Sequence, residues 1–546
     1  MEATVYQTQH KIRIVTAASL FDGHDAAINI MRRILQKSGA EIIHLGHNRS
    51  AREIVDAAIQ EDAQAIAITS YQGGHNEFFK YIYDLLQERG CGHIRIFGGG
   101  GGTILPTEIE DLHQYGITRI YSPDDGRHMG LQGMINDLLS KCDFASGKLL
   151  NGEVSKLTGM SKAAIASMIS SIENYPEENK AIIETIAGTA ANAQVPVLGI
   201  TGTGGSGKSS MVDEIVRRFI IDFTDKKIAI VSVDPSKRKT GGALLGDRIR
   251  MNAINNDRVY MRSLATRQSN LALSRYVKDT VNILKAGGYD LIILETSGIG
   301  QSDTEIIDHS NVALYVMTPE YGAASQLEKI DMLDFADVIA INKFDKKGAL
   351  DALRDVKKQY QRNHDLWDKD ADTMPVYGTI ASQFNDPGTN RLYAHIIRLL
   401  NEKCHAGFDS RLFVEEAESE KIYIIPPQRV RYLSEISENN RKYDQWLQEQ
   451  SQLASRIYAL EKVVQEKQLT GIGELTTLAG KLRQDLDGEC LRSLEAWPEK
   501  VKAYTGDEYI YEVRGKKLSV PTFTTSLSKN KIPRVCLPKF QDWGDL

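Results

Sequence analysis

Cysteine is scarce in this chain: five in 546 residues, at positions 91, 142, 404, 490 and 536, with no two at metal-ligand spacing. That argues against a cysteine metal site or a disulfide-framed fold, and it fits a reducing, cytoplasmic setting. Long apolar runs are missing as well. No stretch approaches the ~20 residues needed to span a bilayer, and the opening MEATVYQTQHKIRIV is too polar for a signal peptide. Charge of one sign is also lacking. Lys plus Arg number 66 and Asp plus Glu 72, a net charge of −6. That gives no electrostatic basis for binding nucleic acid or an anionic membrane. Internal repeats and low-complexity tracts are absent.

What is present is an ordinary globular composition, 42% hydrophobic and 25% charged, long enough for three or four domains at ~150 residues each. Residues 1–145 alternate β-rich runs (IRIVTA, EIIHLG, QAIAITS, IRIFGG, TRIY) with helical stretches. Five such strands predict a doubly wound parallel sheet. Residues 146–192 are polar and helical and read as a linker. A second α/β set fills 193–410, with strands VPVLGIT, KIAIVSV, YDLIILE, VALYVMT, DVIAIN and MPVYGT. Over 411–510, Leu453, Ile457, Leu460 and Val464, then Leu475, Leu478, Leu482 and Leu486, recur at helical spacing on either side of TGIG. That pattern predicts an amphipathic helical hairpin. The remainder, 511–546, reads as extended chain.

GTGGSGKS, Gly202–Ser209, matches the phosphate-loop pattern between a strand and a helix. Gly204, Gly205, Ser206 and Gly207 offer backbone N–H groups to phosphates, Lys208 reaches the β and γ phosphates, and the Ser209 hydroxyl suits Mg²⁺. NKFD, Asn342 to Asp345 with Lys343 and Phe344 between, ends another strand. A carboxylate at Asp345 can accept both N–H donors on the edge of guanine, a pair that adenine lacks, so GTP is the expected nucleotide. Alone, the four residues are equally a polar turn. Asp234 and Glu295 stand at strand ends, and Asp247 lies in a Gly- and Arg-rich loop. Each could hold Mg²⁺, and each could equally be a solvated loop acid.

The combination VDPS…TGGALLGDRIRM…ETSGIGQSD…NKFD resembles the GTPases that chaperone coenzyme B12 enzymes, the methylmalonyl-CoA mutase accessory proteins. The resemblance implies that Ser209, Asp234, Asp247, Glu295 and Thr296 surround Mg²⁺, that Arg250 lies near the nucleotide, and that Lys208 and Glu295 serve hydrolysis. Gln301 is displaced relative to the water-positioning glutamine of Ras-like GTPases.

Asp22, Gly23 and His24 follow the first strand, at the edge where open α/β sheets bind ligands. By itself His24 reads as a loop histidine. Beside a B12-type GTPase, DGHD resembles the D-x-H-x-x-G motif of base-off, histidine-on cobalamin domains, with Ala27 in place of the final glycine. That resemblance implies His24 as the cobalt ligand and Asp22 as its hydrogen-bond partner. Ser70, in Ser70-Tyr71-Gln72, keeps only the serine of the S-x-L pattern. Gly98 and Gly99, within FGGGGGTI, form a wall for the cofactor's nucleotide tail; five glycines in a row are equally a loop or a phosphate site.

A flavodoxin-like cobalamin domain followed by a P-loop GTPase and a helical linker is the layout of the fused isobutyryl-CoA mutases. The family likeness implies adenosylcobalamin, GTP and Mg²⁺ as cofactors and radical interconversion of isobutyryl-CoA and n-butyryl-CoA. It also implies GTP-gated cofactor loading, and a homodimer in the full-length form. The acyl-CoA would be held by a barrel domain of which 511–546 is only the start, so this chain alone is expected to complete GTP hydrolysis only. The alternatives are a stand-alone cobalamin-binding GTPase that delivers cofactor to a separate mutase, and a cobalamin sensor that signals through its GTPase.

Overall fold

The computed structural model describes residues 4–147, 161–237, 239–266, 276–296, 304–322, 327–412, 417, 419–421, 431–466, 472–513 and 515–546. Two compact units emerge, 1–422 and 423–546. Among the described residues no helix is long and apolar enough to cross a membrane.

The first unit holds two parallel sheets. The strands of the N-terminal domain are β1 (Arg13–Ser19), β2 (Glu41–Arg49), β3 (Ala65–Thr69), β4 (Arg95–Gly99) and β5 (Arg119–Tyr121). Those that follow are β6 (Val197–Gly202), β7 (Ile228–Asp234), β8 (Ala243–Leu245), β9 (Val259–Ala265), β10 (Leu291–Glu295), β11 (Val312–Met317), β12 (Val338–Asn342) and β13 (Val376–Thr379). The first sheet runs β5-β4-β3-β1-β2-β8 and the second β13-β12-β11-β6-β10-β7-β9. Both are doubly wound. In the first, helices Ala26–Lys37 and Pro123–Cys142 cover the face carrying Ile14, Ile42 and Phe97. Helices Ala51–Gln60, His75–Glu88 and Pro106–Tyr115 cover the face carrying Val15, Ile43 and Ile66. The chain order reverses between β1 and β3, so the residues following these two strands share one crevice.

Two strands were not legible as such. β9, VYMRSLA, completes the second sheet beside β7. β8 belongs by sequence to the second domain, yet it pairs in parallel with β2 of the first: Glu41 with Ala243, Ile42 with Leu244, Ile43 with Leu245. The expected five-stranded sheet therefore has six strands, the sixth donated by its neighbour. Residues read as a linker form helices Lys162–Asn174 and Lys180–Ala191, whose Ile165, Met168, Ile169 and Ile172 pack into the core of the second sheet. The polar residues between them mask an apolar stripe at helical spacing.

Charges hold the two domains together. Arg13, Arg248 and Arg262 meet Glu41, Glu61 and Glu173 in a buried cluster of three positive and three negative groups. Glu61, fully buried, takes Arg248 at 2.7 Å and Arg13 at 3.0 Å, and it accepts the Ser263 N–H. Burial alone would raise its pKa, but Arg248, Arg13 and Arg262 hold it below the ordinary value. Its contribution to stability is therefore full above about pH 4.5 and is lost on acidification through the lower folded value.

In the second unit, helices Tyr432–Gln465 and Ile472–Asp485 pack around Ala454, Ile457 and Leu482, with Leu486 just beyond the second helix, while Leu478 of the predicted stripe is exposed. Part of the TGIG turn lies outside the described residues. A further helix, Gly488–Thr505, leads into two ribbons, β14 (Glu508–Val513) with β15 (Lys516–Pro521) and β16 (Phe523–Thr525) with β17 (Lys531–Pro533).

Glu61→Gln leaves Arg13 and Arg248 buried with too little negative charge around them. The expected loss is about 3–5 kcal/mol, read as a lower urea midpoint at pH 7; an unchanged midpoint would remove the cluster as the clamp between domains.

Candidate functional site

The first site gathers at the ends of β1 and β3. Asp22 is almost fully buried and ties the site together. Its Oδ1 lies 2.8 Å from His24 Nδ1 and accepts the His24 N–H at 2.9 Å, while its Oδ2 accepts the Tyr71 N–H at 2.6 Å. Burial pushes the Asp22 carboxyl up, and the N–H groups of Tyr71 and His24 more than offset it, so its pKa falls below the ordinary value. An ionised Asp22 holds the His24 proton on Nδ1 and directs the Nε2 lone pair outward. The imidazole is 74% exposed, and its Nε2 has no partner among the described residues. Ser70 accepts from the Ser19 hydroxyl at 3.0 Å, cross-linking the two strand ends.

Beneath this edge lies a cavity of about 330 Å³ between the sheet and helices Ala26–Lys37 and Pro123–Cys142. Met31, Leu35, Phe97, Tyr121 and Met134 line it, with the backbone of Gly98–Gly101 along one side. The glycines serve packing too. A Cβ on Gly98 would stand 2.3 Å from the Phe79 ring, and one on Gly100 would stand 1.9 Å from the Ser70 carbonyl oxygen. Ala27, where the motif has glycine, also lines the cavity.

The second site lies at the ends of β6, β7 and β10. Gly205 (φ 77°) and Gly207 (φ 92°) take left-handed conformations in the phosphate loop, and a Cβ on Gly207 would meet the Asn342 amide at 2.4 Å. Lys208 donates to the Gly202 and Thr203 carbonyls, curling the loop around its own ammonium group. Ser209 Oγ is 3.1 Å from Asp247 and 2.9 Å from Glu295. Ser232 Oγ reaches the same two carboxylates, and Asp234 accepts the Gly246 N–H at 3.3 Å. Asp234 is pushed up to about 8, by burial and then by Asp247. Burial and Asp247 likewise raise Glu295 well above its ordinary value. Among the described residues, no three His, Cys, Asp or Glu side chains surround a single ion position. Asp247 and Glu295 instead share two serine hydroxyls, an arrangement that fits a cation whose remaining ligands are phosphate oxygens and water.

Asn342 donates to the Ser206 carbonyl at 2.8 Å and accepts the Ala381 N–H at 3.0 Å, joining the phosphate loop to the loop after β13. Lys343 donates to the Gly205 carbonyl at 2.8 Å. Phe344 is buried in the core, and Asp345 is exposed, 3.4 Å from Lys421. Gly204 lies in the turn preceding Gly205.

Two expected residues are not brought to the cluster. The Thr296 hydroxyl donates to Thr201 at 2.7 Å. Arg250 is exposed at the end of a short 3-10 helix, and no hydrogen bond ties it to the phosphate loop. Gln301 lies outside the described residues. Sequence reasoning overlooked Ser232, although it precedes Asp234 by two along β7 and so shares its face; it pairs in register with Glu295.

Residues 163–423 match the family model for the methylmalonyl-CoA mutase-associated GTPase MeaB, and residues 12–123 match the B12 binding domain. A fused isobutyryl-CoA mutase of Geobacillus kaustophilus is 53% identical over 557 residues, covering 100% of this chain and 51% of that protein. Those of Cupriavidus metallidurans (50% identical, 98% of this chain, 50% of that protein) and Nocardia farcinica (48%, 100%, 51%) align similarly. Over its whole length the chain is similar to the fused isobutyryl-CoA mutases. It spans about half the length of the curated relatives it matches. The first site thus lies in a B12-binding domain and the second in a MeaB-type GTPase domain.

The crowded carboxylates lead to a test. Asp247→Asn removes the charge that opposes Asp234 and Glu295, so the nucleotide-free protein should gain about 1 kcal/mol or more. On the expectation that this cluster holds Mg²⁺ beside bound nucleotide, the same change should abolish the thermal stabilisation that added Mg²⁺ brings in the presence of GDP. A destabilised free variant with an intact Mg²⁺ response would contradict this electrostatic picture.

Proposed function

We propose that this chain is the cofactor-binding and GTPase portion of an adenosylcobalamin-dependent isobutyryl-CoA mutase, in which GTP turnover gates cofactor loading. Adenosylcobalamin, when bound, supplies the radical chemistry that interconverts isobutyryl-CoA and n-butyryl-CoA. In this reading the acyl-CoA is held by a barrel domain supplied by further polypeptide.

The chain's own residues have separable tasks. His24 presents Nε2 to cobalt, and Asp22 keeps the proton on Nδ1. The apolar cavity and the bare backbone at Gly98 and Gly99 receive the nucleotide tail, and Ser70 fixes the two strand ends that frame it. Lys208 offsets phosphate charge, Ser209 with Asp234, Asp247 and Glu295 holds Mg²⁺, and Asp345 reads guanine with Asn342, Lys343 and Phe344 bracing it. Arg250 and Thr296 are assigned to the nucleotide-bound arrangement.

The observation that carries gating is β8. It lies between Asp234 and Asp247 and pairs with the B12-binding sheet. The preceding turn presses on helix Ala26–Lys37: Thr240 donates to the Gln36 carbonyl at 3.3 Å, and a Cβ on Gly242 would come within 2.2 Å of that oxygen. The same helix begins two residues after His24 and supplies Met31 and Leu35 to the cavity wall. A nucleotide that moves Asp247 therefore acts on an element that borders the cofactor site.

The absorbance spectrum of the chain with adenosylcobalamin tests the cofactor reading. The parent should give a histidine-on spectrum and His24→Ala should not. Apo thermal unfolding should be the same in both, because the exposed imidazole carries little packing. A His24→Ala spectrum identical to the parent's would overturn the assignment.

A further inference from the structure

Phe21, the residue before Asp22, has φ 62°. A bulky side chain rarely adopts the left-handed region, which glycine or asparagine enters far more easily. The conformation is braced: the Phe21 N–H donates to Asn48 Oδ1 at 2.8 Å, and Asn48, at the end of β2, is itself left-handed at φ 56°. Two adjoining strand ends are thus locked against each other in a costly geometry.

Among the described residues the Phe21 ring makes no ring–ring contact. Phe21 is 80% exposed, whereas Ser19, two residues before it, and Asp22, the next residue, are 2% exposed. A strained backbone that holds an apolar side chain in water contributes neither packing nor a hydrogen bond from that side chain. Such strain gathers at ligand-binding positions, where its compensation arrives with the ligand. Phe21 stands three residues before His24, whose imidazole is also largely exposed and tilts against Tyr71 with ring centroids 5.6 Å apart. His24 and Tyr71 stand where β1 and β3 end, and Phe21 lies in the same turn after β1, on the side of β2.

We infer that Phe21 is a cofactor-contact residue: its ring is covered by the corrin when cobalamin binds, and the Phe21–Asn48 brace holds it ready for that contact. The inference rests on the cobalamin reading of the Asp22–His24 site and adds a residue outside the D-x-H motif.

Adenosylcobalamin is titrated by absorbance into the full chain and into Phe21→Gly, Phe21→Asn and Phe21→Tyr, and the apo melting temperature of each is measured. Glycine and asparagine accept the backbone geometry but lack the ring. Both variants should bind about tenfold more weakly or worse, the loss that follows from leaving one aromatic ring uncovered. Their apo melting temperatures should equal or exceed the parent's, since strain is relieved. At saturation they should still reach the histidine-on spectrum, and Phe21→Tyr should bind within about threefold of the parent. Glycine and asparagine variants that bind as tightly as the parent would overturn the inference and leave the ring to a protein partner. A fall in their apo melting temperatures would overturn it in favour of a structural ring. A parent chain without the histidine-on spectrum would instead bring down the cobalamin reading itself.

Discussion

Three residues between the carboxylates of Asp234 and Asp247 hydrogen-bond as the outer strand of another domain's sheet. That pairing, β8 on β2, constrains everything near it. Asp234 precedes the strand, Asp247 follows it by two residues, and only Gly246 lies between strand and carboxylate. The segment facing the nucleotide site is thus held at its middle by the B12-binding domain. A displacement of Asp247 must be absorbed at Gly246 or transmitted to the shared sheet.

The buried charges strengthen the same connection. Arg248, next to Asp247, is buried against Glu61 and Gln60 of the B12-binding domain. Arg13 reaches back from β1 to the Ser263 carbonyl on β9 at 2.9 Å. Buried ion pairs contribute little net stability over apolar packing, but losing one partner is costly. Arg248 stands three residues after β8, so this cluster anchors the chain just beyond that strand. The two ligand sites are then linked by hydrogen-bonded and packed elements, not only by chain connectivity.

Much of this was legible in advance. The phosphate loop announces itself through spacing and through its place between strand and helix, and the two doubly wound sheets follow from alternating β-rich and helical runs. Asp22 and His24 were readable because a motif two residues apart folds onto itself. What could not be read depends on contacts across the chain. β8 has three residues, Ala-Leu-Leu, and looks like loop until its partner strand, about 200 positions away, is known. Arg248 and Arg250 are indistinguishable in sequence; the fold buries the first against Glu61 and leaves the second exposed. Thr296 sits beside Glu295, but successive residues at a strand end point to opposite sides, and its hydroxyl goes to Thr201. The left-handed backbone at Phe21 leaves no trace in composition or periodicity.

We propose that nucleotide state and cobalamin affinity are coupled through the segment from Asp234 to Arg248. Calorimetric titration of adenosylcobalamin into the chain preloaded with GDP, and separately with a non-hydrolysable GTP analogue, tests it most directly. The dissociation constants should differ by about fivefold or more, with GTP affinity changed by the same factor in the reciprocal titration. Equal cobalamin affinities in the two nucleotide states would contradict it.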